Sequence, residues 1–138
     1  MRILCLLLLL ILPTLAPAQE RDSVFASYED YARFVDSRVM GRRFIELIQV
    51  LGGRDEYTPE QLQGADQRFR AIYPRDFSNG AVTKQIDLGS GFGQEMRIYW
   101  DEGVGYIYYY ALLHNRGDSL VVINFTLNSN VDKVLGKF

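Results

Sequence analysis

The first half of the chain carries apolar residues at the three- and four-residue steps of a helix. Ser27 stands where an N-cap would, directly before an acidic first turn. The apolar positions that follow divide at Gly41 and stop at a glycine pair, which is typical of a helix C-terminus. They are Tyr28, Tyr31, Phe34, Val35 and Val39 before Gly41, then Phe44, Ile45, Leu47, Ile48 and Leu51 before Gly52-Gly53. We therefore expect a helical segment that Gly41 kinks or divides.

A second helix is predicted to begin at Thr58-Pro59-Glu60-Gln61. Thr58 can cap the helix, Pro59 suits the first helical position, and Gln61 is placed to close a capping box. The apolar side of this helix comprises Leu62, Ala65, Phe69 and Ile72 or Tyr73. Pro74 is expected to end it, because the residue before a proline avoids helical geometry.

From Ala81 onward the apolar period changes to two, which indicates strands. Five runs bounded by turn residues are predicted as strands: Val82–Leu88, Gln94–Trp100, Gly105–His114, Ser119–Leu127 and Lys133–Phe138. Their connections are too short for parallel crossovers. The sequence therefore predicts an α+β fold, in which N-terminal helices pack on one face of a curved antiparallel β-meander of four to five strands.

Strand alternation divides the sheet residues between two faces. The mainly apolar set is predicted to face the helices: Val82, Ile86, Leu88, Met96, Ile98, Trp100, Ile107, Tyr109, Ala111, Leu113, Val121, Ile123, Phe125 and Leu127. The other set is polar and aromatic: Gln85, Asp87, Glu95, Arg97, Tyr99, Tyr106, Tyr108, Tyr110, His114, Leu120, Val122, Asn124 and Thr126. A β-bulge would move part of a strand from one set to the other.

The polar and aromatic set is the first candidate for a binding surface. Tyrosine gives a large rigid contact area with a polar tip and is enriched at interface hot spots. The candidate binding residues are Arg97, Tyr99, Tyr106, Tyr108, Tyr110 and Asn124. The competing interpretation is that these tyrosines only pair across strands on a half-exposed surface, where tyrosine is a good strand former.

The first 18 residues match a secretory signal peptide. Arg2 precedes an apolar run from Ile3 to Leu12, and Ala16-Pro17-Ala18 supplies small residues for cleavage. An uncleaved anchor is the alternative, although the run is short for a membrane span. Residues 19–138 then form one predicted domain. Since Cys5 lies in the leader, a cysteine-free exported domain is expected, which fits secretion to a bacterial periplasm.

Composition excludes some partner classes. The formal net charge is −2, or −3 without Arg2. No basic excess favours nucleic acid, and stable membrane insertion is not expected once the leader is removed. No cofactor is predicted. His114 is the only histidine, and no spaced ligand motif accompanies it, so no metal site is predicted.

Catalytic candidates are few. His114 could act as a general base with an orienting acid, and Asp87, Glu95 and Asp101 are carboxylates available to it. The sequence does not place any of these carboxylates beside His114. An ordinary histidine at a strand end is the alternative interpretation.

The order of helices followed by a curved meander resembles the nuclear transport factor-like α+β roll superfamily, the ketosteroid isomerase and scytalone dehydratase type. The resemblance covers residues 27–138 and depends on topology and on the ending Val121–Leu127, a turn at Asn128–Asp132, and Lys133–Phe138. It implies a pocket between helices and sheet, used for acid–base chemistry or ligand binding, and pairing through the outer sheet face. No catalytic motif of those enzymes matches here. A cystatin-like helix-on-sheet arrangement is the alternative.

Three functions follow as hypotheses. The leading one is a non-catalytic binding module that holds a second copy, another protein or a small apolar ligand through the tyrosine-rich sheet face. The second is a cofactor-free isomerase or hydrolase with a pocket between helices and sheet. The third is an inhibitor or structural module acting on an exported partner.

Overall fold

A computed structural model describes residues 22–52, 56–103 and 105–138. The predicted α+β class is confirmed, with three helices preceding the main strands. The predicted signal peptide, residues 1–18, lies outside the described residues. The elements in chain order are β1 (Val24–Phe25), α1 (Tyr28–Met40), α2 (Phe44–Leu51), α3 (Pro59–Ile72), β2 (Asn79–Gly89), β3 (Phe92–Trp100), β4 (Tyr106–Asn115), β5 (Leu120–Asn128) and α4 (Val131–Leu135).

The helix starts and stops follow their sequence signals. The Ser27 side chain caps α1 by accepting from the backbone N–H of Asp30 at 3.1 Å. Gly41 is the C-cap of α1, so the predicted division of the helical segment is confirmed. At the start of α3, the Thr58 hydroxyl accepts from the N–H of Gln61 at 3.3 Å. The Gln61 side chain accepts from the N–H of Thr58 at 2.8 Å, which completes the capping box.

The sheet is antiparallel throughout, in the order β1-β5-β4-β3-β2. The last four strands form the predicted meander. The two-residue β1 was not predicted, because two residues are too few to show a period. It pairs with Leu120 and Val121 at the outer edge of β5.

The main hydrophobic core lies between α1–α3 and one face of the sheet. Burial of these side chains is the main stabilising contribution to the fold. From the helices, Tyr31, Val35, Val39, Phe44 and Leu47 are fully buried. They pack against Tyr99, Ile107, Tyr109, Ala111, Leu113, Leu120 and Val122 of the sheet, with Phe125 and Leu127 at the margin.

The C-terminal segment is helical, and the predicted strand Lys133–Phe138 is wrong. The Asn130 side chain caps α4 by accepting from the N–H of Asp132 at 2.9 Å. Val131, Val134 and Phe138 recur at helical steps and pack on the outer face of the sheet, opposite α1–α3. There they cover Met96 and Tyr110, with Ile98, Tyr108 and Leu112 at the margin.

The predicted face assignment holds for β4 and is wrong for β3. Ile107, Tyr109, Ala111 and Leu113 face the helices as expected. On β3 the phase is reversed: Glu95, Arg97 and Tyr99 face the helices, and Met96 and Ile98 belong to the outer cluster with Trp100 on the same side. Charged residues usually face solvent, but here Glu95 and Arg97 are buried and hydrogen-bonded to each other.

Bulges explain the errors on the other strands. The register between β4 and β5 shifts at Leu112/Leu113, so Ile123 bulges out and is 49% exposed, while Leu120 and Val122 face the helices. Phe125 and Leu127 keep their predicted side. On β2 a shift between Val82 and Lys84 places Gln85 on the helix side, opposite Glu95. Ile86 lies opposite Gln94 on the outer side instead.

Candidate functional site

A buried polar cluster lies between α1 and β3. Glu95 and Arg97 are only 1% and 4% exposed. The Arg97 Nε donates to Glu95 Oε1 at 2.6 Å. Two charges removed from water in this way require further hydrogen bonds to offset the cost of desolvation.

Tyrosine hydroxyls of α1 supply those bonds. Tyr31 donates to Glu95 Oε1 at 2.7 Å, and Tyr28 donates to Oε2 at 2.8 Å. The Tyr28 oxygen in turn accepts from Arg97 Nη2 and from Gln85 Nε2, each at 3.0 Å. Gln85 Nε2 also donates to Glu95 Oε2 at 3.5 Å, so the two carboxylate oxygens are held by donors from α1, β2 and β3.

The cluster reaches the surface at Asp36. Its Oδ1 accepts from Arg97 Nη1 at 3.0 Å and from the Tyr99 hydroxyl at 2.7 Å. The Asp36 side chain is 43% exposed, whereas Arg97 behind it is buried. The Tyr109 hydroxyl closes the inner end, 3.2 Å from that of Tyr31.

This environment favours protonated tyrosines and a charged arginine. Burial, with Glu95 as hydrogen-bond partner, raises the pKa of Tyr28 to about 12. Burial also raises the pKa of Tyr31, of Tyr99 and of Tyr109 above the ordinary tyrosine value. For Arg97 burial alone would lower the pKa, but the hydrogen bond and charge of Glu95 outweigh it and raise the pKa.

The arrangement holds α1 on the sheet and leaves no room for a substrate at Glu95. Both oxygens of this carboxylate are occupied by protein donors, and the side chain is closed off from solvent. The sequence-based prediction missed this cluster, although the sequence of α1 contained an indication of it. Tyr28 and Tyr31 lie on the buried side of α1, and buried tyrosine hydroxyls need polar partners that an almost wholly apolar sheet face would not supply.

The three catalytic candidates do not come together. Glu95 lies in the buried cluster on the helix side. His114 lies on the outer side, stacked on Phe92 with ring centroids 4.0 Å apart. Asp87 accepts from the N–H of Gly89 at 2.8 Å and so stabilises the β2–β3 turn.

The six predicted binding residues also separate. The prediction that Arg97 and Tyr99 lie on an exposed face is wrong, since the alternation on β3 runs the other way and both are buried under α1. Tyr110 and Tyr108 are on the outer face, but α4 packs over this region and Tyr110 is 4% exposed. Tyr106 and Asn124 remain exposed there.

An open cleft lies between the helices and the β5 side of the sheet. It encloses about 560 Å³, within the range of small-ligand pockets. Its apolar wall consists of Ile48, Leu62, Ala65 and Phe69 from α2 and α3, and Phe125 and Leu127 from β5. Its remaining lining includes Tyr57, Glu60, Gln61, Arg68 and Thr126. We call this the α3–β5 cleft.

The sequence contained part of this site. Leu62, Ala65 and Phe69 were predicted as the apolar side of α3, and Phe125 and Leu127 as helix-facing strand residues. Periodicity could not show that α3 and β5 are separated here by an open cleft. A neighbouring cleft of about 550 Å³ between α2 and α3 shares Tyr57 and Leu62 with it. None of Asp87, Glu95 and His114 lines either cleft.

Comparison with known proteins finds no matching family model, no matching curated protein and no matching solved structure. The resemblance to the nuclear transport factor-like superfamily stays a prediction. In the described part of the chain, no cluster of three or more histidine, cysteine, aspartate or glutamate residues is suited to hold a metal ion. Among these same residues, no helix is long and apolar enough to cross a membrane.

Proposed function

We propose that this chain is an exported, non-catalytic binding domain whose ligand occupies the α3–β5 cleft. The observation that carries the proposal is an open cleft of about 560 Å³ with apolar side chains from both layers and polar groups at its margin. Binding sites in proteins have this composition, because apolar surface supplies affinity and a few polar groups fix orientation.

The chemistry of the buried cluster favours binding over catalysis. A general acid or base must come within hydrogen-bond reach of a substrate. Glu95 has its oxygens occupied by Tyr28, Tyr31 and Arg97, and His114 lies on the opposite side of the sheet. The cluster is therefore assigned to fixing α1, which leaves the cleft as the site for a ligand.

A fluorescent apolar probe tests the proposal on residues 19–138. Anilinonaphthalene sulfonate should bind the folded protein, and Ala65→Trp should weaken binding about tenfold or more by filling the cleft. Ala71→Trp is the matched control, since Ala71 is exposed on the same helix and does not line the cleft. Thermal unfolding checks that both variants are folded. Equal binding by the two variants would contradict the proposal.

A second candidate function is self-association through the outer sheet face. It is favoured by Tyr106, which is 46% exposed and stacks near Trp100 with ring centroids 6.5 Å apart. Light scattering over a range of concentrations should then detect a dimer that Tyr106→Ala weakens. A monomer at all concentrations would exclude this candidate.

A further inference from the structure

We propose that the ligand of the α3–β5 cleft is an extended polypeptide segment, which pairs as an added strand with the free edge of β5 and places alternate side chains in the cleft. The inference rests on the proposed function, because it takes the same cleft as the site. It adds the chemical class of the ligand and the way in which the ligand is held.

Within the described residues, the outer edge of β5 is paired only near the start of the strand. The strand runs from Leu120 to Asn128, but β1 pairs only with Leu120 and Val121. The N–H of Val122 donates to the carbonyl of Ser23 at 2.8 Å. From Ile123 to Asn128, no strand of the described chain pairs with this edge. Unpaired backbone groups in a row are matched by another extended backbone, which is how sheet augmentation binds peptides.

The cleft and the free edge are continuous. Phe125 and Leu127 face the helices, while Thr126 between them faces the outer side, opposite Tyr110. All three residues nevertheless line the cleft. A cleft lined from both sides of one strand borders the edge of that strand. A peptide paired to β5 would therefore point every second side chain between β5 and α3.

The other edge of the sheet differs in the features that prevent pairing. On β2 the register shifts twice, between Val82 and Lys84 and between Asp87 and Gly89, and the strand carries charged side chains. Bulges and charges of this kind protect edge strands. The stretch Asn124–Asn128 of β5 pairs with β4 in unbroken register and contains no charged residue. β5 has one bulge, at Ile123, but the stretch Asn124–Asn128 beside the cleft has neither a bulge nor a charge.

Charges on α3 favour a peptide of mixed charge. Glu60 and Arg68 both line the cleft, eight positions apart on one helix, which corresponds to about 12 Å along its axis. That distance equals roughly four residues of extended chain. A segment with apolar residues at alternate positions, a basic group towards Glu60 and an acidic group towards Arg68 would complement both.

A synthetic peptide tests the inference on residues 19–138. The probe is a nine-residue fluorescein-labelled peptide in which threonine alternates with valine and leucine, and in which a lysine and a glutamate stand four positions apart to match Glu60 and Arg68. Fluorescence anisotropy should show saturable binding. Ala65→Trp should weaken it about tenfold or more, and Ala71→Trp should not.

Backbone methylation of the probe identifies strand pairing. Two versions carry N-methyl groups on alternate amides, one on the amides of the apolar residues and one on those of the threonines. Only one edge of an added strand faces β5, so one version should lose binding about tenfold or more and the other should retain it. Equal loss or equal retention would overturn the inference.

The outcomes separate the inference from the proposed function. If anilinonaphthalene sulfonate binds in the cleft and the peptide does not, the ligand is a small apolar molecule and the inference is wrong, while the proposed function stands. If the free protein forms a dimer that Ala65→Trp abolishes, a second copy occupies the edge and the peptide assignment is wrong. If neither probe binds, both proposals fail.

Discussion

Glu95 is a buried carboxylate that depends on hydrogen-bond partners from three elements. The Glu95–Arg97 pair is closed off from solvent and every oxygen of the carboxylate accepts a bond. Replacing a buried ion pair by apolar residues of similar size is often tolerated, whereas removing one partner leaves the other charge uncompensated. The pair therefore contributes little net stability, and its main role is to fix the position of α1 on the sheet.

Glu95→Leu should lower the free energy of unfolding by about 3–5 kcal/mol, because Arg97 loses its buried counter-charge and keeps only the partly exposed carboxylate of Asp36. The double variant Glu95→Leu with Arg97→Met should recover part of that loss. Urea denaturation measures both. Arg33→Gln is the control, since it removes an exposed pair with Asp30 and should cost less than about 1 kcal/mol. A double variant less stable than Glu95→Leu would contradict this account.

The raised pKa values of the tyrosines in this cluster predict that the free energy of unfolding falls at alkaline pH. The pKa of Tyr28 is raised to about 12, and the pKa values of Tyr31, Tyr99 and Tyr109 are raised as well. Unfolded tyrosine titrates near about pH 10. Above that pH the unfolded chain loses protons that the folded chain keeps. The stabilisation is therefore fully present below about pH 10 and is lost as the pH rises through the folded values.

Urea titrations from about pH 8 to about pH 12 should show this fall in the free energy of unfolding. Tyr28→Phe should make the fall shallower, because one of the shifted groups is absent. Phe34→Leu, which removes no titratable group from the same helix, should leave the slope unchanged. A free energy that stays constant across this range would refute the linkage.

At the scale of elements, α4 turns part of the predicted tyrosine surface into a second core. Tyr110 is 4% exposed and meets Phe138 edge to face, with ring centroids 5.3 Å apart. Its hydroxyl accepts from Gln94 Nε2 at 2.9 Å. Val134 of α4 is fully buried beside it. The outer face is thus packed near α4, while Tyr106, Phe92 and Asn124 are exposed on it.

Tyr110→Ala should therefore destabilise the protein by about 3 kcal/mol, the typical loss for a large side chain removed from a core. Tyr106→Ala should change stability by less than about 1 kcal/mol, because Tyr106 is 46% exposed on the same strand and the same face. Thermal and urea unfolding of the two variants give the comparison. Similar losses for both would mean that α4 does not cover the sheet as described.

The positions of the helices and main strands could be predicted from the sequence, because each is set by residues close together in the chain. The caps at Ser27 and Thr58, the break at Gly41 and the four main strands depend on residues within one turn or one strand. The faces of β3 and β5 depend on distant partners. Glu95 and Arg97 can face the helices only because Tyr28, Tyr31 and Asp36 form hydrogen bonds with them. These partners lie about 60 to 70 positions earlier in the chain.

The C-terminal error has a different cause. Lys133–Phe138 follows a strand and a turn, a position that predicts a further strand, but Asn130 caps a helix instead. Val131, Val134 and Phe138 repeat at helical steps, and this was the readable signal. Periodicity identified residues on both walls of the cleft but not the cleft itself, since the separation of α3 from β5 depends on how whole layers pack. Only the family resemblance implied a pocket between helices and sheet.

For the whole molecule, the sheet is supported unequally across its width. β4 lies in the interior of the sheet, with α1–α3 on one side and α4 on the other. β2 forms one edge, and nearly all its side chains are exposed. Local opening should therefore be least costly at β2 and most costly at β4, because few buried contacts must be broken at the edge.

Amide hydrogen exchange should show this order, with the slowest amides in β4 and β3 and much faster exchange along β2. Protection of β2 equal to that of β4 would mean that another molecule covers that edge. Amide hydrogen exchange also tests whether a peptide pairs with β5 beside the α3–β5 cleft. Amides of Ile123–Asn128 that point away from β4 should exchange fast in the free protein and become protected when the alternating peptide binds. If the peptide binds while those amides stay fast, it is held by its side chains alone and does not extend the sheet.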